Sequence, residues 1–419
     1  MLESLKSALT VAELRNKLLF TLALLFVFRI GAHVPVPGVD VDTFRELIGT
    51  GALLGFFDVI SGGAFKNFSV FAMSITPYIN ASIIMQLLTV VIPHLERLAK
   101  EGDEGRKKIT QYTRYFTVIL AFIQAIGLSI FLKPAIITPG IISYLVIAIT
   151  LTAGTAFLMW LGEQITEKGI GNGISLIIFA GIVSSLPAGL ENLYLQLTAG
   201  TINVFSVFAL LIIGGLIIAG IVTVNEGQRR IPVQYAKRVV GRRVYGGQTT
   251  HLPLKVNQAG VIPVIFASSI LMFPEQIMHW MSGSAIVAFL MKMFSWGSPL
   301  HTIVYALLII GFTYFYTAVI MNPVDMADNI KKYGGFIPGI RPGRPTAEHI
   351  ARVMGKITLA GAVFLAAIAI LPNFVLLATK IPNIYFGGTA LLIVVGVALD
   401  TMKQIESHLL MRSYQGFIK

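Results

Sequence analysis

Ten long apolar stretches, separated by shorter polar segments, run through the chain. A membrane-spanning helix needs about 20 mainly apolar residues to cross a hydrocarbon core of about 30 Å. The stretches lie near residues 17–34, 68–92, 113–132, 141–162, 170–187, 201–224, 258–274, 300–321, 355–372 and 384–402. This pattern predicts an all-α, multi-pass membrane protein with ten transmembrane helices.

The basic residues are concentrated on one side of the predicted membrane. The 419 residues are 55% hydrophobic and only 12% charged, yet 32 Lys and Arg against 20 Asp and Glu give a net charge of +12. With ten spans, 26 of the 32 basic residues fall on the side of the two termini and 6 on the other side. Because cytoplasmic loops retain the excess of Lys and Arg, both termini are predicted to be cytoplasmic.

The predicted spans divide into two sets of five around the stretch Pro187–Gly200. Because five is odd, residues 1–190 and 191–419 would enter the membrane in opposite senses, as two inverted halves around a central path. The second span of each half carries a mid-helix proline, Pro77 and Pro263. Corresponding interruptions point to a transport site, although proline is also common in membrane helices without such a role.

The central parts of the ten spans contain no Asp, Glu, Lys, Arg or His. Such residues usually mark ion coupling and charged-substrate sites, so an ion-driven carrier is disfavoured. The chain has no Cys, no His-Glu-x-x-His or Gly-x-Ser-x-Gly motif and no nucleotide-binding Gly-x-x-x-x-Gly-Lys loop. These motifs are typical of enzymes and ATPases, so no catalysis, metal or cofactor is expected and energy must come from outside. A secondary transporter for a small neutral solute is the alternative that remains.

One apolar segment on the predicted external side is too short to span. It consists of Leu53, Leu54, Gly55, Phe56, Phe57, Asp58, Val59, Ile60, Ser61, Gly62, Gly63, Ala64 and Phe65. Its length and the interruption by Asp58 favour a short re-entrant or interfacial helix in the outer mouth of a pore. An amphipathic external hairpin is the alternative reading of the same composition.

Two long loops on the predicted cytoplasmic side are rich in basic residues. In loop 225–256, two β-rich runs flank a glycine-containing tip, which predicts a β-hairpin with seven Lys and Arg against one acid. In loop 322–350, the proline and glycine residues of segment 336–345 predict an extended path that presents Arg341 to water. These loops suit docking of an acidic or phosphate-rich partner, or they serve only to orient the protein in the membrane.

Five segments resemble the bacterial SecY family of protein translocation channels. In chain order they are Thr76–Leu88, Gly169–Gly181, His251–Ser269, Phe336–Gly343 and Tyr385–Val395. The resemblance extends from about Leu14 to about Gln415. It implies a channel that passes unfolded secretory proteins across the bacterial plasma membrane and releases signal sequences and membrane segments laterally into lipid.

The resemblance also implies how the channel is closed. An hourglass-shaped pore between the two halves would narrow at a ring formed by Ile75, Ile79, Ile174, Ile178, Ile265 and Ile393. The short segment 53–65 would be a plug helix. Isoleucines four residues apart usually reflect ordinary helix packing, so the ring assignment depends on the resemblance and not on spacing.

Lateral release requires the two halves to separate along the second and seventh spans. The residues expected at this lateral gate are Pro77, Asn80, Ser82, Gln86, Pro263, Ser268 and Ser269. Hydrogen bonds between their polar side chains across the seam would contribute about 1 kcal/mol each or less. Such a seam is weak enough to open for a signal sequence.

The partners implied by the resemblance are other proteins and the lipid bilayer. Arg242, Arg243 and Arg341 would lie on the surface that binds the ribosome and the motor ATPase SecA. SecE and SecG are implied as small companion subunits, and signal peptides and unfolded preproteins as the material transported.

Overall fold

The fold is built almost entirely of helices. The computed structural model describes residues 10–48, 58, 61–235, 238–240, 243–245, 249–280, 298–379 and 388–416. The helices are α1 (Ala12–Gly31), α2 (Val41–Ile48), α3 (Thr76–Val91), α4 (Pro93–Lys100), α5 (Asp103–Phe131), α6 (Ile141–Lys168), α7 (Gly173–Thr198), α8 (Val204–Glu226), α9 (Ile262–Trp280), α10 (Pro299–Ile320), α11 (Pro323–Lys332), α12 (Arg344–Thr379) and α13 (Gly388–Gly416). The strands are β1 (Gln228–Tyr235), β2 (Arg238–Val240), β3 (Arg243–Tyr245), β4 (Thr249–Lys255) and β5 (Gly335–Phe336).

Many of these helices match the length and apolar character of membrane spans. Within the described ranges, seven meet both criteria, namely α5, α6, α7, α8, α10 with its continuation α11, α12 and α13. The α3–α4 pair adds an eighth if it is counted as one span bent by 99°. On α8, Phe205 is 84% exposed, as expected of a side chain that faces lipid. The prediction of a multi-pass helical membrane protein is confirmed, whereas the number of ten spans stays a prediction.

Pro77 and Pro263 each lie at the second residue of a helix, α3 and α9 respectively. The prediction that they interrupt the middle of a span is therefore wrong. Proline is favourable in the first turn of a helix because its missing N–H would have no partner there. Residues 68–75, expected to be part of the second span, form turns, and Ser74 has a positive φ of 52°. Helix α3 consequently begins inside the protein, at the buried residue Thr76.

The stretch predicted to separate the two halves is largely helical. Helix α7 passes through Pro187 and ends at Thr198, so the boundary between residues 190 and 191 falls within it. The irregular connection to α8 consists of residues 199–203. The proposed division into two halves stays a prediction, but its linker is this shorter segment.

Two apolar clusters organise the helices. The larger contains Phe28 on α1 and Leu158 on α6 together with Ile309 on α10 and Leu365 on α12, so it joins helices from both ends of the chain. The smaller lies around Phe44 of α2 and packs α2 against the segment that follows Gly62 and against the ends of α5 and α6. The core therefore lies between the N-terminal and C-terminal sets of helices.

The predicted β-hairpin is part of a three-stranded sheet. Strands β1 and β4 pair antiparallel, with Ile231 opposite Leu252, and β2 and β3 pair antiparallel as a separate two-stranded sheet. The third strand, β5, comes from the next long loop and pairs with the end of β1, with Gln234 opposite Phe336. We call the β4-β1-β5 assembly the loop sheet. The loop after α10 also contains α11, which ends before segment 336–345, for which the prolines predict an extended path; residues 337–343 of that segment form turns and no helix or strand.

Candidate functional site

All six isoleucines predicted to form a ring belong to, or pack against, the larger apolar cluster. Five of them, Ile75, Ile79, Ile178, Ile265 and Ile393, are buried members of the larger apolar cluster. The sixth, Ile174, is partly buried and packs against that cluster. They come from the start of α3 and from α7, α9 and α13, which are four separate segments.

The local structure explains how these isoleucines converge. Ile75 immediately precedes α3 and Ile79 donates its backbone N–H to the Ile75 carbonyl over 3.0 Å, which fixes the first turn. Just before α9, Val261 packs closely against α13, because a Cβ added to Gly396 would lie 2.1 Å from Val261 Cγ2. Ile265 and Ile393, on these two packed segments, belong to the same apolar cluster.

Helices α3 and α9 contact each other directly, as the predicted lateral gate requires. Asn80, Ser268 and Ser269 are buried, whereas Ser82 and Gln86 are half-buried. The Ser268 hydroxyl donates to the Ile265 carbonyl of its own helix over 2.8 Å.

The expected hydrogen bonds across this seam are not formed. Among the described side chains none joins α3 to α9, and the buried Gln86 Oε1 has no hydrogen-bond partner. The hydroxyl of Ser268 is used within its own helix, which removes one donor from the interface. The two helices therefore contact each other without a hydrogen bond between their described side chains.

The predicted plug is described only in part. Leu53–Phe57, Val59 and Ile60 lie outside the described residues, whereas Asp58 and residues 61–65 lie within them. Asp58 organises the turn, because its carbonyl accepts from Gly63 N at 2.9 Å and its Oδ1 accepts from Lys66 N at 2.7 Å. Burial raises the pKa of the Asp58 carboxyl, and the Lys66 N–H and the charges of Lys66 and Arg29 oppose that shift.

The end of the plug segment is packed into the N-terminal helices. Ala64 is fully buried in the larger apolar cluster, which also contains Ile75. Gly62 has a positive φ of 68°, and a Cβ added there would lie 2.8 Å from Gly181 Cα of α7. The Arg29 guanidinium, at the end of α1, donates to the Gly62 carbonyl through Nη1. The sequence pattern gives Arg29 no such role, since it is only one of six basic residues on its predicted side of the membrane.

The predicted docking residues are described to different extents. Arg341 is exposed, and its carbonyl accepts a hydrogen bond from the Thr346 hydroxyl over 2.9 Å. Arg242 lies outside the described residues, and of Arg243 only the backbone is described, as the first residue of β3. The structure therefore fixes the position of one of the three arginines.

The loop sheet supports the segment that carries Arg341. Ile337 is buried in an apolar cluster with Ile231 and Val233 of β1 and with Ile350 of α12. Positive φ values at Gly339 and Gly343, 80° and 105°, form the turns on either side of Arg341. The sequence contained no strong signal for β5, because a strand of two residues has no hydrophobic period.

The described residues contain no group of three or more His, Asp or Glu side chains that could hold a metal ion. Among the described residues, the largest apolar cluster is the one that contains the isoleucines. The arrangement can exclude water and ions, but it offers no nucleophile or acid–base pair at that point.

Comparison with known proteins identifies the family. The family model for SecY matches residues 69–402. The chain is 51% identical to protein translocase subunit SecY of Halalkalibacterium halodurans, with 100% of both chains covered. The chain belongs to the SecY family. It is 47% identical to the SecY subunit of Escherichia coli K12, covering 98% of this chain and 95% of the relative.

Solved structures show the same fold. A protein-conducting channel structure superposes with a TM-score of 0.69 at 21% identity, covering 93% of this chain and 91% of the other. Sec61 in the canine ribosome–channel complex gives a TM-score of 0.66 at 19% identity, with the same shares covered. The resemblance and the fold class are thus confirmed, and the chain is a multi-pass SecY-family protein of the bacterial inner membrane.

Proposed function

We propose that this SecY-family chain is the channel subunit through which unfolded secretory proteins cross the bacterial inner membrane. The observation that carries the proposal is that six isoleucines from four separate segments belong to, or pack against, one apolar cluster that joins the two sets of helices. The subunit has no catalytic role of its own. Energy comes from a partner, either SecA or a translating ribosome, or from the membrane potential.

The isoleucine ring closes the channel by excluding water. A constriction lined with branched apolar side chains dewets, so hydrated ions cannot cross it while no polypeptide is present. Isoleucine side chains offer no hydrogen bond to a passing chain. Substrates of any sequence therefore pass without being held, which a translocation channel needs and a solute-selective site does not.

Lateral exit proceeds between α3 and α9. In a bilayer, lipid tails are as apolar as leucine, so separating the apolar parts of these two helix faces into lipid loses packing but no hydrophobic driving force. The observed absence of hydrogen bonds between the described side chains of α3 and α9 favours this route. Signal sequences and membrane segments supply the apolar surface that replaces the contact.

Partner docking occurs at the loop sheet and the turn that carries Arg341. Arg242, Arg243 and Arg341 bind acidic or phosphate groups of SecA and the ribosome, and SecE and SecG are companion subunits. The likeness to Sec61 in a ribosome–channel complex and to an Ssh1 complex bound to the yeast 80S ribosome supports the ribosome as a partner. This role places both termini and the two long loops in the cytoplasm.

The loop sheet can be tested as the support for Arg341. A Cβ at Gly335 would lie 3.0 Å from Tyr235 Cε1 and 3.1 Å from Ile330 Cγ2, so Gly335→Val should separate β5 from β1. We expect SecA-dependent export to fall by about tenfold, from the loss of a few hydrogen bonds and contacts. Gly334→Val is unsuitable as a control because of its positive φ of 73°. Tyr333→Val, at an exposed neighbouring position, should leave export unchanged.

The plugged pore is tested by deleting residues 53–65. The purified channel complex, reconstituted in a planar bilayer, should then conduct ions without substrate, while the parent complex stays closed. A neutral-solute transporter has no such plug, so the deletion would not create an ion leak in it. A deletion variant that is as tight as the parent would contradict the proposal, provided that the variant is recovered in the membrane at parental amounts.

A further inference from the structure

We propose that Arg29 is the residue that holds the plug closed, by clamping the carbonyl of Gly62. The inference rests on the proposed function of segment 53–65 as a plug, and it adds the identity of the latch. We use the term Gly62 clamp for the Gly62 carbonyl together with Arg29 of α1 and Ser184 of α7.

The contacts of the clamp are unequal. The Arg29 guanidinium donates to the Gly62 carbonyl from a half-buried position. The Ser184 hydroxyl approaches the same oxygen at 3.5 Å, but it lies 2.7 Å from the Gly181 carbonyl of its own helix. Its proton therefore serves the intrahelical bond, and Arg29 is the principal donor. A hydrogen bond from a charged donor is about twice as strong as one between neutral groups.

The Arg29 guanidinium has the Gly62 carbonyl as its hydrogen-bond partner. No ion pair within 4.0 Å involves Arg29 among the described residues. Its charge lowers the pKa of the Asp58 carboxyl less than the charge of Lys66 does. A lone cation half-buried at the end of an apolar helix is unfavourable without a partner. The Gly62 carbonyl supplies that partner only while the segment is in place.

Hydrogen bonds on both sides of Gly62 connect it to the rest of the plug segment. Ser61 Oγ donates to the Asp58 carbonyl over 3.1 Å and accepts from Phe65 N over 3.0 Å. With the bonds of Gly63 and Lys66 to Asp58, these contacts close the turn on itself. Gly62 sits against α7 with no room for a side chain, so the turn cannot shift without losing the clamp.

The clamp lies entirely within the N-terminal set of helices. Arg29 belongs to α1 and Ser184 to α7, and these two helices contact each other. Separation of α3 from α9 at the lateral gate moves neither of them directly. Release of the plug requires that the bond between Arg29 and Gly62 be broken.

The test combines two readouts on the reconstituted channel complex. The first is ion conductance in a planar bilayer without substrate. The second is the rate at which a water-soluble maleimide, added from the external side, labels a cysteine placed at Ala64. The chain has no other Cys and Ala64 is fully buried, so labelling reports displacement of the plug end.

Arg29→Gln should raise both the resting conductance and the labelling rate by about ten- to a hundredfold, as expected for loss of one charge-assisted hydrogen bond. Arg29→Lys, which keeps the charge and can still donate, should restore most of the closure. Ser184→Ala should behave like the parent. Arg45→Gln, a matched external arginine that binds Asn67 instead, should also behave like the parent.

Three outcomes would overturn the clamp. The first is an Arg29→Gln channel that stays closed to ions and is labelled slowly, while the channel lacking residues 53–65 leaks ions. This result would leave the proposed function intact. The second is an equal leak from Arg45→Gln, which would assign the effect to external positive charge in general. If Arg29→Gln does not accumulate, Gly62→Ala replaces it, because its Cβ would meet Gly181 Cα and Ser184 Oγ at 2.8 Å. The third outcome that would overturn the clamp is a Gly62→Ala channel that stays closed to ions. If the channel lacking residues 53–65 also stays closed, the assignment of that segment as a plug is wrong.

Discussion

Replacement of Arg341 by Glu is expected to abolish SecA-dependent export, with a loss of at least about a hundredfold. Arg341 is exposed on a turn that two positive-φ glycines and the loop sheet hold in place, so its charge is presented in one position. Reversal of a charge at the centre of a complementary interface costs several kcal/mol, and each 1.4 kcal/mol is a factor of ten. Export of a model preprotein into inverted membrane vesicles measures the effect.

Arg344→Glu is the matched control for this experiment. Arg344 lies three residues away and undergoes the same change of charge, but its side chain is 92% exposed and pairs with Glu348 at 3.5 Å within α12. Exposed pairs of this kind contribute about 1 kcal/mol or less. We expect near-parental export from Arg344→Glu and normal membrane insertion of both variants. Parental export from Arg341→Glu, or equal loss from both, would contradict a specific role for Arg341.

A covalent link between cysteines placed at Ser82 and Ser268 should block lateral release of signal sequences and stop export. These positions lie on α3 and α9, the two helices that contact each other at the proposed gate. Because the chain has no native Cys, a short bifunctional maleimide can join only the introduced pair. Removal of the Ser268 hydroxyl breaks only a bond within α9, so the unlinked variant should export normally.

The linked gate is controlled by the two single-cysteine variants. Each of them, treated with the same reagent, should export at the parental rate. A cleavable reagent should restore export of the double variant after reduction. If the linked channel exports at the unlinked rate, the substrate does not need α3 and α9 to separate, and the lateral route would have to lie elsewhere.

Much of the architecture follows from the linear pattern alone. Apolar stretches near 20 residues must be helical in lipid, because a backbone without water has to satisfy its own hydrogen bonds. Helices α5, α6, α8 and α10 therefore lie where the hydropathy predicts them. The five motifs that begin at residues 76, 169, 251, 336 and 385 also predicted the family that the comparisons confirmed.

Several local structures could not be read from the pattern. Hydropathy does not distinguish a proline that begins a helix from one that bends it, so it could not place Pro77 and Pro263. The start of α3 is set by the packing of residues 68–75 against α6, where Gly154 leaves room for the Val70 carbonyl. The continuation of α7 through Pro187 and the pairing of β5 with β1 likewise depend on neighbours distant in sequence.

The sequence by itself determined that this protein is a helical membrane protein of the SecY family, because periodic burial in lipid and family motifs are local properties of the chain. The tertiary structure alone decided which polar groups meet. It brought Arg29 to the carbonyl of Gly62, 33 residues away. Hydrogen bonds depend on distances of a few tenths of an ångström between segments, and those distances exist only after the helices have packed.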